Sequence, residues 1–207
     1  MVKAKDFYEV GLKLHGHKCP AMPMGLRAGQ AAMNKLGVER AKDGQLMAFV
    51  EIGENHCATC FADGVQVITG CTFGKGNISK LHYGKWGLIL IDKETGRSVR
   101  VSPKAEIMQE NKKTEFFTEY RQKGIPASKV PDEIVAPLVE KVMSAPEEVL
   151  FNIGDVVSWQ WEEPVHSFEG FVCDICGEMT VEHYGRILGD KKVCIPCREK
   201  TAETSRE

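Results

Sequence analysis

The sequence contains no apolar run near the roughly 20 residues that a bilayer-spanning helix needs. Its first residues, "MVKAKDFYEVG", lack the apolar stretch of a secretory signal. Membrane-embedded and exported proteins are disfavoured on these grounds, and the expected location is cytoplasmic. Charge of one sign is also missing: 27 basic residues stand against 29 acidic ones, a net charge of −2. That balance gives no bulk attraction to nucleic acid or to an anionic membrane, so nucleic acid enters as a partner only through some local basic face. Neither internal repeats nor low-complexity segments occur. The 207 residues, 43% hydrophobic and 27% charged, suffice for one ordinary domain with a real core and a small appendage.

Cysteine is plentiful. In a reducing compartment thiols bind metal or do chemistry more often than they pair as disulfides. The eight cysteines form two sets: Cys19, Cys57, Cys60 and Cys71, then Cys173, Cys176, Cys194 and Cys197. A long cysteine-free stretch separates them. Glutamates, Pro164 and Gly170 interrupt the pattern in "EEPVHSFEG", and the expected domains are residues 1–165 and 166–207.

The first domain reads as α+β, because helix and strand signals do not alternate regularly. "AKDFYEVGLKLHG" predicts a helix ending at Gly16, and "GLRAGQAAMNKLG" a stronger one stopped by Gly37. "QLMAFVEIG" reads as a strand, and "ADGVQVITGC" as a buried helix or strand. "WGLILIDKETGRSVRVS" predicts a hairpin turning at Glu94-Thr95-Gly96. Two helices, "AEIMQENKKTEFFTEYRQKG" and "PDEIVAPLVEKVMSAPEEVL", and a strand, "DVVSWQW", complete the domain.

The second cysteine set has the form C-x2-C-x17-C-x2-C. Two such knuckles supply four thiolates that close tetrahedrally around Zn²⁺, with Zn–S of about 2.3 Å and no open position, so the expected role is structural. Gly177 eases the turn of the first knuckle. A segment of ~40 residues scarcely builds a stable core alone, and metal binding supplies the missing folding energy. A zinc ribbon or treble-clef finger is expected, with a rubredoxin-like iron site as the lesser alternative.

The first set is less regular. His15, His17 and Cys19 form H-x-H-x-C, and "ENHCATCFADG" adds His56, Cys57, Cys60 and Asp63. His17 and Cys19, two apart, aim toward one point in an extended segment, where Cys60 and Cys57 can meet them. Imidazole with thiolates suits zinc, or else nickel or iron. An open position would let the metal activate water, with Asp63 as base. Each residue also has a plainer reading: His15 as a helix end, Asp63 as a helix cap, Cys71 as a small buried hydrophobe. In "GCTFGKGN" a phosphate loop fails, because Gly76 stands where Ser or Thr should bind Mg²⁺. Lys75 remains a candidate for an anionic substrate.

Together "HGHKCP" at 15–20, "MGLRAGQAAM" and "CFADGVQVITGCTFGKGNI" at 60–78 resemble the FmdE family, which takes its name from formylmethanofuran dehydrogenase. The resemblance implies an α+β domain of antiparallel or mixed sheet and packed helices, a homodimer, and a cleft lined by the matching positions. On that basis His17, Cys19 and Cys60 are the expected metal ligands, with Cys57 as a possible fourth. Asp63, Gln66, Cys71 and Lys75 would line the cleft, Asp63 and Lys75 as catalytic candidates. No molybdopterin signature or ferredoxin-like cysteine run is visible, so the chain cannot carry out the redox chemistry of that dehydrogenase alone. The leading expectation is a zinc protein whose amino-terminal metal site serves a small anionic substrate, a cofactor or a partner enzyme of molybdenum or tungsten metabolism. The alternative is a zinc-finger interaction or regulatory protein with a dimerising sensor domain. A thiol redox role for Cys57 and Cys60 lacks the βαβ context it needs.

Overall fold

The computed structural model describes residues 2–54, 59–164 and 167–204. Cys57, His56 and His166, together with the 165/166 boundary, lie outside the described residues. The chain divides into two compact units, Met1–Trp161 and Glu162–Glu207.

In the first unit, helix α1 (Ala4–His15) stops at Gly16, whose φ of 86° is left-handed and whose amide returns to Leu12 O at 2.8 Å. The chain turns there and enters α2 (Ala21–Leu36), which is buried on most of its surface. It packs against α1, against α3 (Cys60–Thr69) and against the sheet. The sheet comprises β1 (Leu46–Val50), β2 (Ile78–Lys80), β3 (Leu88–Asp92), β4 (Arg97–Pro103), β5 (Phe151–Ile153) and β6 (Val157–Ser158). Its order is β2-β1-β3-β4-β5, with β6 also on β4. β1 and β2 run parallel, and the other pairs are antiparallel, which makes the sheet mixed. In the β3–β4 hairpin Thr95 Oγ1 donates to Asp92 Oδ2 at 2.5 Å, and Gly96 takes a φ of 65°.

The crossing of α2 and α3 is unusually close. A Cβ on Gly25 would stand 2.0 Å from Phe61 O, and one on Gly64 would stand 2.0 Å from Met22 O. Only glycine lets the two backbones meet, and the crossing brings the start of α2, just after Cys19, beside the start of α3 at Cys60.

Three expected elements differ. "AEIMQENKKTEFFTEYRQKG" is α4 (Ala105–Asn111) followed by a separate π-helical turn, Phe116–Arg121. Its bonds reach five residues, as in Gln122 N–H to Phe117 O at 2.8 Å. "PDEIVAPLVEKVMSAPEEVL" divides into α5 (Asp132–Ser144) and α6 (Glu147–Leu150), because Pro146 forces Ala145 to a ψ of 144°. In "DVVSWQW" only Val157–Ser158 is strand.

In the second unit β7 (Gly170–Val172) pairs with β8 (Met179–Val181), and β9 (Gly185–Leu188) with β10 (Lys191–Cys194), followed by α7 (Ile195–Thr204). Knuckle, hairpin and helix follow one another in treble-clef order.

Candidate metal centres

In the second unit Cys173 and Cys176 lie in the turn between β7 and β8. Cys194 ends β10, and Cys197 sits in the first turn of α7. Gly177, with φ 75°, donates its amide to Cys173 O at 2.9 Å and closes the knuckle. All four sulfurs lie within 4.8 Å of one another, and Cys176 Sγ is 3.8 Å from Cys194 Sγ. Sulfurs on one tetrahedral zinc are separated by roughly 3.8 Å, given Zn–S of about 2.3 Å. Backbone amides of Cys176 and Cys194 pull the Cys173 thiol down to about 6, and the neighbouring Cys194 thiol holds Cys197 up at about 12. One sulfur is thus prepared as a thiolate, and the metal must displace a proton from another.

In the first unit His15, His17, Cys19 and Cys60 form a second cluster, their ligand atoms also within 4.8 Å of one another. His15 is the last residue of α1. Its Nε2 is 3.1 Å from His17 Nε2 and 3.5 Å from Cys19 Sγ. The other ring nitrogen, Nδ1, is hydrogen-bonded to Asp63 Oδ2 at 2.7 Å. With its side chain only 6% exposed, His15 is an inward-facing donor fixed from behind, and not merely a helix end. Two imidazole nitrogens and two sulfurs at this spacing could hold one borderline-soft ion, zinc foremost.

Electrostatics reinforce the arrangement. The hydrogen bond to Asp63, and after it one to Cys60, raises His15 to about 9 against the cost of burial. The Cys60 thiol, aided by the Met22 and Ala21 amides at the start of α2, lowers buried Cys19 to about 7. Cys60 is pushed the other way, by its bond to Cys19 and by burial. Burial and then the charge on His15 lower His17.

Other expected cleft residues lie elsewhere. Asp63 is engaged with His15 and does not line the cavity described below, which removes it as a base poised over substrate. Gln66 supports it: Nε2 donates to Asp63 Oδ1 at 3.4 Å, and Oε1 accepts the Phe73 amide at 3.0 Å. Cys71 and Lys75 follow the far end of α3, about 15 Å along the helix from Cys60. Cys71 is fully buried in the core, its thiol raised to about 11 by burial. The Lys75 ammonium donates to the carbonyls of Ala41 and Lys42 at 3.1 and 3.2 Å, so it ties down a loop.

A cavity of about 550 Å³ opens over the cluster, with His17, Cys19 and Cys60 on its floor. Its walls include Trp86, Phe116, Phe117, Asn111 and Arg121. The sequence carried no local signal for Phe116, Phe117 and Arg121 in these walls, because the π-helical turn that presents them breaks the expected period.

Several known proteins resemble this chain. An S-adenosyl-L-methionine-binding protein, so described as probable, from Archaeoglobus fulgidus is 33% identical over 193 residues, covering 87% of this chain and 48% of that protein. This chain therefore spans about half the length of that relative. A crystal structure of a tungsten formylmethanofuran dehydrogenase FmdE-like protein from Syntrophus aciditrophicus shares the fold, with a TM-score of 0.64 at 21% identity over 97% of this chain and 98% of that one. Residues 167–201 match the prokaryotic dksA/traR C4-type zinc finger, the stretch that holds the four clustered sulfurs. Residues 14–152, from just before His15 into β5, match the FmdE model of the molybdenum formylmethanofuran dehydrogenase operon, and the chain belongs to the FmdE family.

Proposed function

We propose that the chain is a two-centre metalloprotein that binds a small molecule over its amino-terminal metal. The four carboxy-terminal cysteines hold a structural zinc. His15, His17, Cys19 and Cys60 hold a second ion, which fixes the floor of the cavity. The observation that carries this reading is the convergence of four donor atoms within 4.8 Å beneath a cavity of about 550 Å³. That volume lies in the usual range for small-molecule sites.

Four protein donors fill a tetrahedral shell, which favours binding over metal-activated hydrolysis. Asp63, held by His15, is not free to serve as base. The family supports an accessory role beside a molybdenum or tungsten enzyme. The name of the Archaeoglobus relative makes S-adenosyl-L-methionine a probe for the cavity, since it offers a planar ring and a carboxylate.

Elemental analysis of the full chain tests the metal reading. About two ions per chain are expected. Cys19→Ser/Cys60→Ser should lower that to about one with an unchanged far-ultraviolet circular dichroism spectrum. One ion per chain in both proteins would overturn it.

A further inference from the structure

The amino-terminal cavity is mostly apolar, yet two of its polar side chains have no settled occupation. Asn111, the last residue of α4, is 9% exposed and lines the cavity. Its side-chain amide makes no hydrogen bond among the described residues, so its donors and acceptor are open to a ligand in the cavity. Arg121, at the end of the π-helical turn, spends Nη1 on Ile125 O at 2.6 Å. Among the described residues no carboxylate pairs with it. It is also the one formally charged side chain among the described lining residues; Asp, Glu and Lys are absent from them. Two thiolates would offset a divalent ion on the floor, so Arg121 alone would set the sign of the cavity. The rings of Phe116, Phe117 and Trp86 line the same cavity.

We propose that this cavity binds a small carboxylate with a flat apolar body. Arg121 takes the carboxylate, Asn111 pairs with a polar atom of the ligand, and the three aromatic rings enclose its body. This rests on the reading of the cavity as a small-molecule site, and it names the class of ligand. A guanidinium fork matches a carboxylate edge to edge, so one arginine is enough for a monoanion. A phosphate dianion draws on several amides or a helix N-terminus. The nearest such amides, of Ala21 and Met22 at the start of α2, are already directed to the Cys19 sulfur.

The test is titration calorimetry on the full chain with three carboxylates (benzoate, phenylacetate and 2-naphthoate) and their neutral amides, with metal content measured on the same samples. A carboxylate should bind at least about tenfold more tightly than its amide. Arg121→Gln should erase that preference, weakening the carboxylate about tenfold or more, and Asn111→Ala should weaken it about fivefold. The proposal is overturned if carboxylate and amide bind alike, if Arg121→Gln leaves the preference intact, or if no carboxylate saturates below about 10 mM. Metal content separates the two readings. Wild-type protein with one ion that still selects carboxylates through Arg121 would sink the second metal centre and leave this proposal standing. Protein with two ions and no selectivity would do the reverse.

Discussion

At the scale of single residues, the amino-terminal cluster depends on what stands behind each donor. Asp63 fixes the His15 ring through Nδ1 and leaves Nε2 for a metal, so the two residues should fail differently. His15→Ala removes a donor and should abolish loading of the second ion. Asp63→Asn keeps all four donors and should lower affinity about 10- to 100-fold, as removal of a partner behind a metal ligand commonly does. Competition with a chromophoric chelator reads both. Proton release gives a further expectation. Between pH 7 and 9 the metal-free site keeps the Nε2 proton of His15, raised to about 9, and the thiol proton of Cys60, raised further, while Cys19, lowered to about 7, has given its proton up. Loading must displace the two retained protons, so log affinity should rise by about two per pH unit in that window and more steeply below it. A slope of one or less would mean that only one of these groups binds the ion. The H-x-H-x-C spacing made much of this legible. The role of His15 was not, because it depends on Asp63, 48 residues away, and on the turn at Gly16.

At the scale of elements, the site is assembled by the α2–α3 crossing, and glycine makes that crossing possible. Alanine in a helix interior is ordinarily more stable than glycine by roughly 0.5–1 kcal/mol. Here the sign should reverse: Gly25→Ala and Gly64→Ala place a methyl group 2.0 Å from a carbonyl oxygen of the other helix. Each should destabilise the protein by about 1–3 kcal/mol in urea unfolding, the usual cost of overpacking. Each should also weaken the second metal centre, since the helix starts carrying Cys19 and Cys60 move apart. Gly16→Ala is the contrast. Nothing lies within 4 Å of its Cβ, so only the left-handed φ is penalised, about 1–2 kcal/mol. Elements with strong local signals were readable: α1 and α2 with their glycine stops, β1, and the β3–β4 hairpin. The three-residue strands β2 and β5 were not, because so short a segment is strand only by virtue of its neighbour. The π-helical turn escaped for the same kind of reason, since its packing of Phe116 overrides a sequence that reads as ordinary helix.

At the scale of the whole molecule, the two units differ in what holds them together. The first buries an extensive apolar core between α2 and its mixed sheet, including Met24, Leu36, Leu88, Leu90 and Val101. In the second the buried cluster is Cys173, Val193 and Cys194, two of which are metal-binding sulfurs. So small a core cannot offset the conformational entropy of ordering more than forty residues, which costs roughly 1–2 kcal/mol each. The zinc must supply the difference, as it does in small metal-dependent domains. The first unit carries enough buried apolar surface to fold without a metal ion, so an ion held by its His/Cys cluster would shape the cavity floor more than the fold. Metal removal should therefore divide the chain. After dialysis against a strong chelator, limited trypsin digestion should cut after Arg186 and at the lysines and arginines beyond it, and leave a resistant fragment ending at Arg186, because no lysine or arginine lies between Lys141 and Arg186. Cys194→Ser should give the same pattern without chelator, because three thiolates hold zinc far less well than four. His17→Ala should leave the carboxy-terminal unit resistant. If chelation instead exposed both units together, the core of the first would have to depend on its ion as strongly as the second does, and the helix crossing at Gly25 and Gly64 would be a consequence of metal binding, not its scaffold.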